Sequence, residues 1–476
     1  MKIRINNRPA GSALLLALFT AFIICITLST YLYLVSNQNQ TVLRSMAWNS
    51  AIPVVEAGIE EALTQLHFVG ITNLVANGWS GLQADGFYHK TNSLGNGFAY
   101  DVGIMPPPAG GQDQPTIESV GYSPAPLNLA GYYSTPWGMI LGGTLVPQFT
   151  PSTPVTKRKV RVLAKRQTPM NYSNLAKGLI DLNGNNVRTD SFDSTSIDAS
   201  TNKRYDPLKA RDHGDVATNS GIVNAVKAGN ADIKGHVGTG PNGSVDIGSN
   251  GSIGDKAWVE SGKTGSEPGW VTDDTNVDIP DVTDLGFDPN GLTTIKNASG
   301  GQWPLNTGPA YDYILTAGNN YNIANFTGRI IIVGSGNVKV YVGSSFNLSG
   351  QDQIVVSEGT SLQLYVAAPS AKFGGQGLSN MDTDAMSFQY YGLPTNTALT
   401  FSANAAFTGT IYAPEADFTL GGGGNNTYDF VGATVTKTLT MTGHFNFHYD
   451  ESLARRFPIR QYVVFSWNEI DPNGVN

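Results

Sequence analysis

The sequence predicts a mainly β protein carried by one transmembrane helix: the helix first, then a small α+β unit, then a right-handed parallel β-helix. Three observations point there. Ala13–Val35 holds no charged residue and, as a helix, spans roughly 35 Å, enough to cross a bilayer core. Apolar residues then alternate in three short runs between residues 87 and 165. From Tyr172 to Asp450 the chain shows no helical period, only short apolar runs broken by Gly, Asn and Asp. A β-sandwich is the alternative, because the repeat in this last region is uneven.

The anchor comes first. Leu14, Leu15, Leu16, Phe19, Phe22, Ile23, Ile24 and Leu28 supply its lipid-facing surface. Lys2, Arg4 and Arg8 precede it with no acidic residue between them, so the positive-inside rule places the N-terminus in the cytoplasm and the bulk outside a single-pass inner membrane. A cleaved signal peptide fits less well, because the apolar run is long and flows into Asn37-Gln38-Asn39-Gln40 without a small-residue cleavage pattern. Helical spacing continues through Val42, Met46, Ile52, Val55, Ile59, Ala62, Leu63 and Leu66, giving a helical segment over residues 12–66. Pro53 removes one amide and predicts a kink near Asn49.

Residues 67–168 read as a small antiparallel sheet. Its three strands are marked by Phe98, Tyr100 and Val102, by Ile117 and Val120, and by Val160 and Val162. The basic run Lys157-Arg158-Lys159 is expected at a solvated strand edge. Residues 169–450 form the β-helix-like region. Tyr341, Tyr365 and Tyr412 each precede a Gly by the same interval (Gly350, Gly374, Gly421), with starts one and about two periods apart. Short strands at such a period stack as rungs, each burying its inward residues on the next. Residues 451–476, a short helical turn and the strand Tyr462–Trp467, are expected to cap the open end of that stack.

Two stretches carry a family resemblance. Gly11-Ser-Ala-Leu-Leu-Leu16, with Glu56-Ala-Gly-Ile-Glu-Glu-Ala62 further on, resembles the N-terminus of PilX-type pilus-assembly proteins and of K-type minor pseudopilins. The resemblance implies a leader over residues 1–11, cut between Gly11 and Ser12. Major pilins carry Glu where this chain has Leu16, a departure shared with the K-type tip subunit. The implied setting is type IV pilus or type II secretion-like assembly, with other pilin-like subunits and the assembly machinery as partners. Downstream, Asp190-Ser-Phe-Asp-Ser194, Gly229–Gly240, Gly409-Thr-Ile-Tyr-Ala-Pro414 and Phe447-His-Tyr-Asp-Glu-Ser-Leu453 resemble an uncharacterised bacterial β-rich domain that commonly follows PilX-like N-termini. That domain implies architecture and no settled activity.

Composition excludes several functions. A net charge of −8 provides no basic surface for a phosphate backbone, so nucleic acid is not an expected partner. The single cysteine, Cys25, lies in the anchor, which excludes disulfides and a thiol nucleophile outside it. Gly238-Thr-Gly-Pro-Asn-Gly243 fits a dinucleotide pattern on paper, but no helix follows to receive phosphates. His444 and His448 on a strand lie roughly 13 Å apart, too far for one metal. Asp181, Asn183, Asn185 and Asp190 have the oxygen-rich spacing of a calcium loop, although Asn186 and Phe192 stand where an EF-hand has Gly and Glu. No cofactor is expected apart from calcium at this loop. Asp382 and Asp384 form an acidic pair with no basic partner nearby in sequence. The reading reached is a non-enzymatic, membrane-anchored envelope component for assembly, surface display or adhesion, with surface glycans as candidate ligands of its Asn-, Thr-, Ser- and Tyr-rich faces. A membrane-tethered polysaccharide lyase or hydrolase is the alternative.

Overall fold

The computed structural model describes residues 10–71, 73–107, 114–125, 155–184, 187–283, 285–291, 300–422, 426–458 and 461–472. The chain divides into two compact units, residues 1–166 with 461–476, and residues 167–460. The protein is mainly β, with one long N-terminal helix.

In the first unit a single helix, α1, runs from Ala10 to Phe68. Its N-terminal part is long and apolar enough to cross a membrane. Leu14, Leu15, Leu16, Phe19, Phe22, Ile23, Ile24 and Leu28 are all exposed on it. From Ala47 onward the helix buries Ala51, Val54, Val55, Ile59, Ala62 and Leu66. The expected break at Pro53 does not divide it: Pro53 and Asn49 both face solvent, so the carbonyl that loses its amide partner is open to water.

The buried half of α1 packs on an antiparallel sheet formed by β1 (Tyr88–Gly95), β2 (Phe98–Met105), β3 (Thr116–Pro124) and β4 (Val155–Gln167). Alternate residues Tyr100, Val102, Ile104, Ile117, Val160 and Val162 point at the helix and form the shared core. β3 approaches closely. Ser119 Oγ donates to the Val55 carbonyl at 2.9 Å, and a Cβ on Gly121 would lie 2.6 Å from the Ala51 carbonyl oxygen. The sheet holds five strands, not three. β1 lacks the alternation that marks the other strands, because its outer half is polar and exposed, and the fifth strand, Gln461–Ile470, lies beside β4.

That fifth strand corrects the expected C-terminal cap. Its Tyr462 side chain is buried in the helix–sheet core, its Tyr462 amide donates to His67 Nε2 at 2.7 Å, and Glu469 pairs with Arg158 at 2.5 Å. β4 otherwise presents an open row of backbone groups, and the C-terminal strand satisfies them. The basic run is consequently not a solvated edge: Arg158 also lies over the Trp48 ring, and Lys159 pairs with buried Glu118.

The second unit is built from short parallel strands in register. One column passes through Tyr341, Tyr365, Tyr391 and Tyr412, then Val435, Leu175 and Ala217, each opposite the next on neighbouring strands. Beside it, inward residues such as Val340, Leu364, Tyr390 and Ile411 stack into one continuous apolar core. A second set of strands aligns Phe373, Phe401, Leu420 and Met441. A third aligns Ile330, Ile354 and Leu378.

The order of stacking differs from the order of the chain. The last strand, Phe445–Asp450, pairs with Arg188–Phe192, and Tyr428–Met441 pairs with Asn174–Ala176, so the start of the unit continues the stack beyond its end. The chain returns through residues 273–283 and 285–291, which lie along the outside: Asn219 holds Val277, Tyr412 donates to the Pro280 carbonyl, and Asn322 donates to that of Pro289. Ile279 and Val282 of this strap are buried over the tyrosine column.

Candidate functional site on the parallel-stranded unit

The site is a cleft between two turns. On one side the chain from Ser194 to Arg211 is cross-tied by its own side chains. Thr201 and Arg204 exchange two backbone hydrogen bonds of 3.1 and 3.0 Å around a turn in which Asn202 and Lys203 have φ of +52° and +64°. This is the double left-handed conformation of a tight hairpin turn, which Asn tolerates and Lys adopts at a cost. Asp206 caps the following helical turn at the Leu208 amide and accepts from Thr201 Oγ1. Lys209 Nζ donates to the carbonyls of Ile197 and Ser200 at 2.6 and 2.7 Å.

The facing wall is the turn Met381–Asp384. Thr383 holds φ at +58°, an unusual state for a β-branched residue. Asp382 accepts from the Gly359 amide at 3.2 Å and from Ser387 Oγ at 3.3 Å. Asp384 caps the Met386 amide and takes both terminal nitrogens of Arg456, at 3.0 and 2.6 Å. Between the walls lies a cavity of ≈ 610 Å³ lined by Ser196, Ser200, Asn202, Lys203, Asp384 and Arg456. It adjoins one of ≈ 500 Å³ that Arg204, Glu358 and Asp382 also line.

Both walls rest on the junction where the start of the unit stacks on its end. His448 is buried there, with Nδ1 2.6 Å from Asp190 and Nε2 3.2 Å from Asp429. Tyr205 stacks on its ring at 3.6 Å between centroids and donates to the other oxygen of Asp190 at 2.7 Å. Burial works against the imidazolium, but the hydrogen bonds to Asp190 and Asp429 outweigh it and raise the His448 pKa above its ordinary value. The hydrogen bond from His448 in turn holds Asp429 below the usual carboxylate range. Nearby, Arg455 binds Asp193 at 2.7 Å, and Glu451 gathers Ser191, Arg211 and His213. Burial raises the pKa of Asp450, which accepts from the Ser194 and Ser452 amides.

The residues singled out in the sequence fall differently. Asp181 accepts from the Asn183 amide at 3.1 Å and lies 3.7 Å from Lys227 Nζ. Asp190 is taken by His448 and Tyr205, on a strand that pairs with Phe445–Asp450, whereas Asp181 pairs with Lys227 and Thr440. Asn185 lies outside the described residues. The structure thus gives Asp181 and Asp190 separate partners, and among the described residues no group of three or more His, Cys, Asp or Glu is placed to hold a metal. Gly11 and Ser12 lie in the first turns of α1. Asp382 and Asp384 acquire through space the basic partner, Arg456, that their sequence neighbourhood lacks. Lys203 and Arg204 carried no sequence signal; only the fold brings them to the cleft.

A family described as a domain of unknown function (DUF7305) matches residues 314–456, less than half of the chain. The match includes Glu358, Asp382, Asp384 and Arg456 of the cleft, but not the 194–211 wall. No curated protein and no solved structure matches the chain.

Proposed function

We propose that the protein is a membrane-anchored, minor pilin-like subunit of the cell envelope, acting in type IV pilus or type II secretion-like assembly, surface display or adhesion. Its parallel-stranded unit, on this reading a right-handed β-helix, is held outside the inner membrane and engages surface glycans. The observation that supports this most is the division of α1: one half bare and apolar, the other packed as the spine of an antiparallel sheet. The bare half serves as membrane anchor, and after leader removal it joins the helices of other pilin-like subunits. Leu16 leaves the new N-terminal amine without a carboxylate, favouring a tip or initiating position.

N-terminal sequencing of the protein from membranes tests the proposal. A start at Ser12 is expected. A start at Met1 makes the helix a static anchor, and a start beyond Val35 removes the membrane reading altogether.

The cleft favours a second reading, a tethered polysaccharide lyase or hydrolase, through the pair Asp382 and Asp384 beside Arg456. Their carboxylates are already committed to Gly359, Met386 and Arg456, which suits a rigid binding wall better than proton transfer. Turnover of any glycan by the purified protein, lost in Asp382→Asn and Asp384→Asn, would establish the enzyme instead.

A further inference from the structure

We propose that the cleft takes an acidic sugar, one bearing a carboxylate or sulfate, and that Lys203 is its principal anion contact. The inference rests on the glycan-binding reading above and specifies the ligand class. Of the cations around the cleft, two are spent internally: Arg456 on Asp384 and Ser452, and Lys209 on two backbone carbonyls. Lys203 has no side-chain partner among the described residues, and neither has Arg204. Lys203 sits at the tip of a hairpin turn, and Arg204 is one of the two residues whose backbone hydrogen bonds close it. The turn fixes the backbone of Lys203 at the mouth of the cavity and leaves the charges of both side chains exposed and available to an anion.

The rest of the lining supplies the hydrogen-bonding groups that a sugar uses. Ser196, Ser200 and Asn202 in the larger cavity, and Glu358 and Asp382 in the adjoining one, offer the hydroxyl, amide and carboxylate partners that vicinal sugar hydroxyls use. Ile197 is the apolar residue in the first cavity and Met381 in the second. Both volumes lie within the roughly 300–1,000 Å³ of small-molecule pockets. Because the chain as a whole carries −8, long-range attraction does not favour anions in general. Selectivity must come from this local arrangement.

Calorimetric titration of the full-length protein in detergent tests the assignment, using oligogalacturonate, a sulfated heparin-derived oligosaccharide, maltohexaose and inorganic phosphate. At least one acidic oligosaccharide is expected to bind, more weakly as salt rises, and which one does so distinguishes carboxylate from sulfate recognition. Lys203→Ala should weaken that binding roughly ten-fold or more, as expected for a lost charge-assisted hydrogen bond, and Lys203→Arg should restore most of it. Binding of maltohexaose or phosphate as tight as that of the acidic sugars overturns the proposal, as does unchanged affinity in Lys203→Ala. If neither acidic sugar binds while the native protein starts at Ser12, the ligand assignment falls and the pilin-like role stands.

Discussion

Replacing His448 with alanine removes a buried group that helps to tie the two ends of the parallel-stranded unit together, and the structure sets the size of the effect. The His448 and Asp190 side chains are only 5% and 9% exposed, so the substitution leaves a carboxylate buried without its cationic partner. Such a loss costs about 3–5 kcal/mol. Asp190 keeps the Tyr205 hydroxyl at 2.7 Å, which places the expectation at about 3 kcal/mol; Asp429, more than half exposed, is screened and adds little. Hydrogen exchange followed by mass spectrometry reads this locally. Peptides covering Arg188–Phe192 and Phe445–Asp450 should exchange on the order of a hundred-fold faster in the variant, with α1 and its sheet unchanged. The pH dependence follows in sign. A histidine whose folded pKa is raised contributes stability that is fully present below 6.5 and is lost as pH climbs through the folded value. His213, raised by its hydrogen bond to Glu451, acts in the same direction. Between pH 6 and 9 the native junction should therefore loosen as pH rises, and His448→Ala should flatten that slope, leaving the part due to His213. A change in exchange of less than about three-fold at pH 6, or an unaltered pH slope, would refute the reasoning that His448 is a charged staple.

Three further substitutions and one ion test the remainder. Gly121→Val should lower the melting temperature of the helix–sheet unit, since its Cβ meets the Ala51 carbonyl at 2.6 Å and the Val55 amide nitrogen at 2.8 Å; overpacking of this kind costs about 1–3 kcal/mol or more, and an unchanged melt would mean that α1 is not seated on β3. If the 181–185 segment binds calcium, millimolar Ca²⁺ should raise the melting temperature through linkage, and Asp181→Ala should abolish the rise; identical melting in calcium and in chelator rejects the site. Arg455→Ala should expose Asp193 to titration: its carboxyl is held below the usual range against burial by Thr195 and Arg455, so the stability it contributes at neutral pH and loses in acid should shrink, as acid unfolding profiles would reveal.

The sequence by itself determined the features that depend on local pattern alone. An uncharged run of apolar residues needs no partner to be read as a helix long and apolar enough to cross a bilayer, because length and hydropathy are local properties. Alternation in Tyr100 and Val102, and in Val160 and Val162, marks strands with one buried face, and those residues do point at α1. The polar outer half of β1 carries no such alternation, and that strand was illegible for the same reason. What only the tertiary structure decided are the pairings between segments far apart in the chain. Nothing local in Gln461–Ile470 says whether it covers the open end of a stack or the open edge of β4; the unsatisfied backbone of β4 and the room for Tyr462 settle it. Likewise, a parallel strand accepts any neighbour whose inward residues fit, so the stacking of Arg188–Phe192 on Phe445–Asp450 is set by the packing of the whole unit rather than by either segment. The chemistry follows those long-range choices: Asp190 meets His448, and Arg456 comes to Asp384, because burial of the apolar rows fixes the backbone and the polar side chains pair with what that backbone brings near.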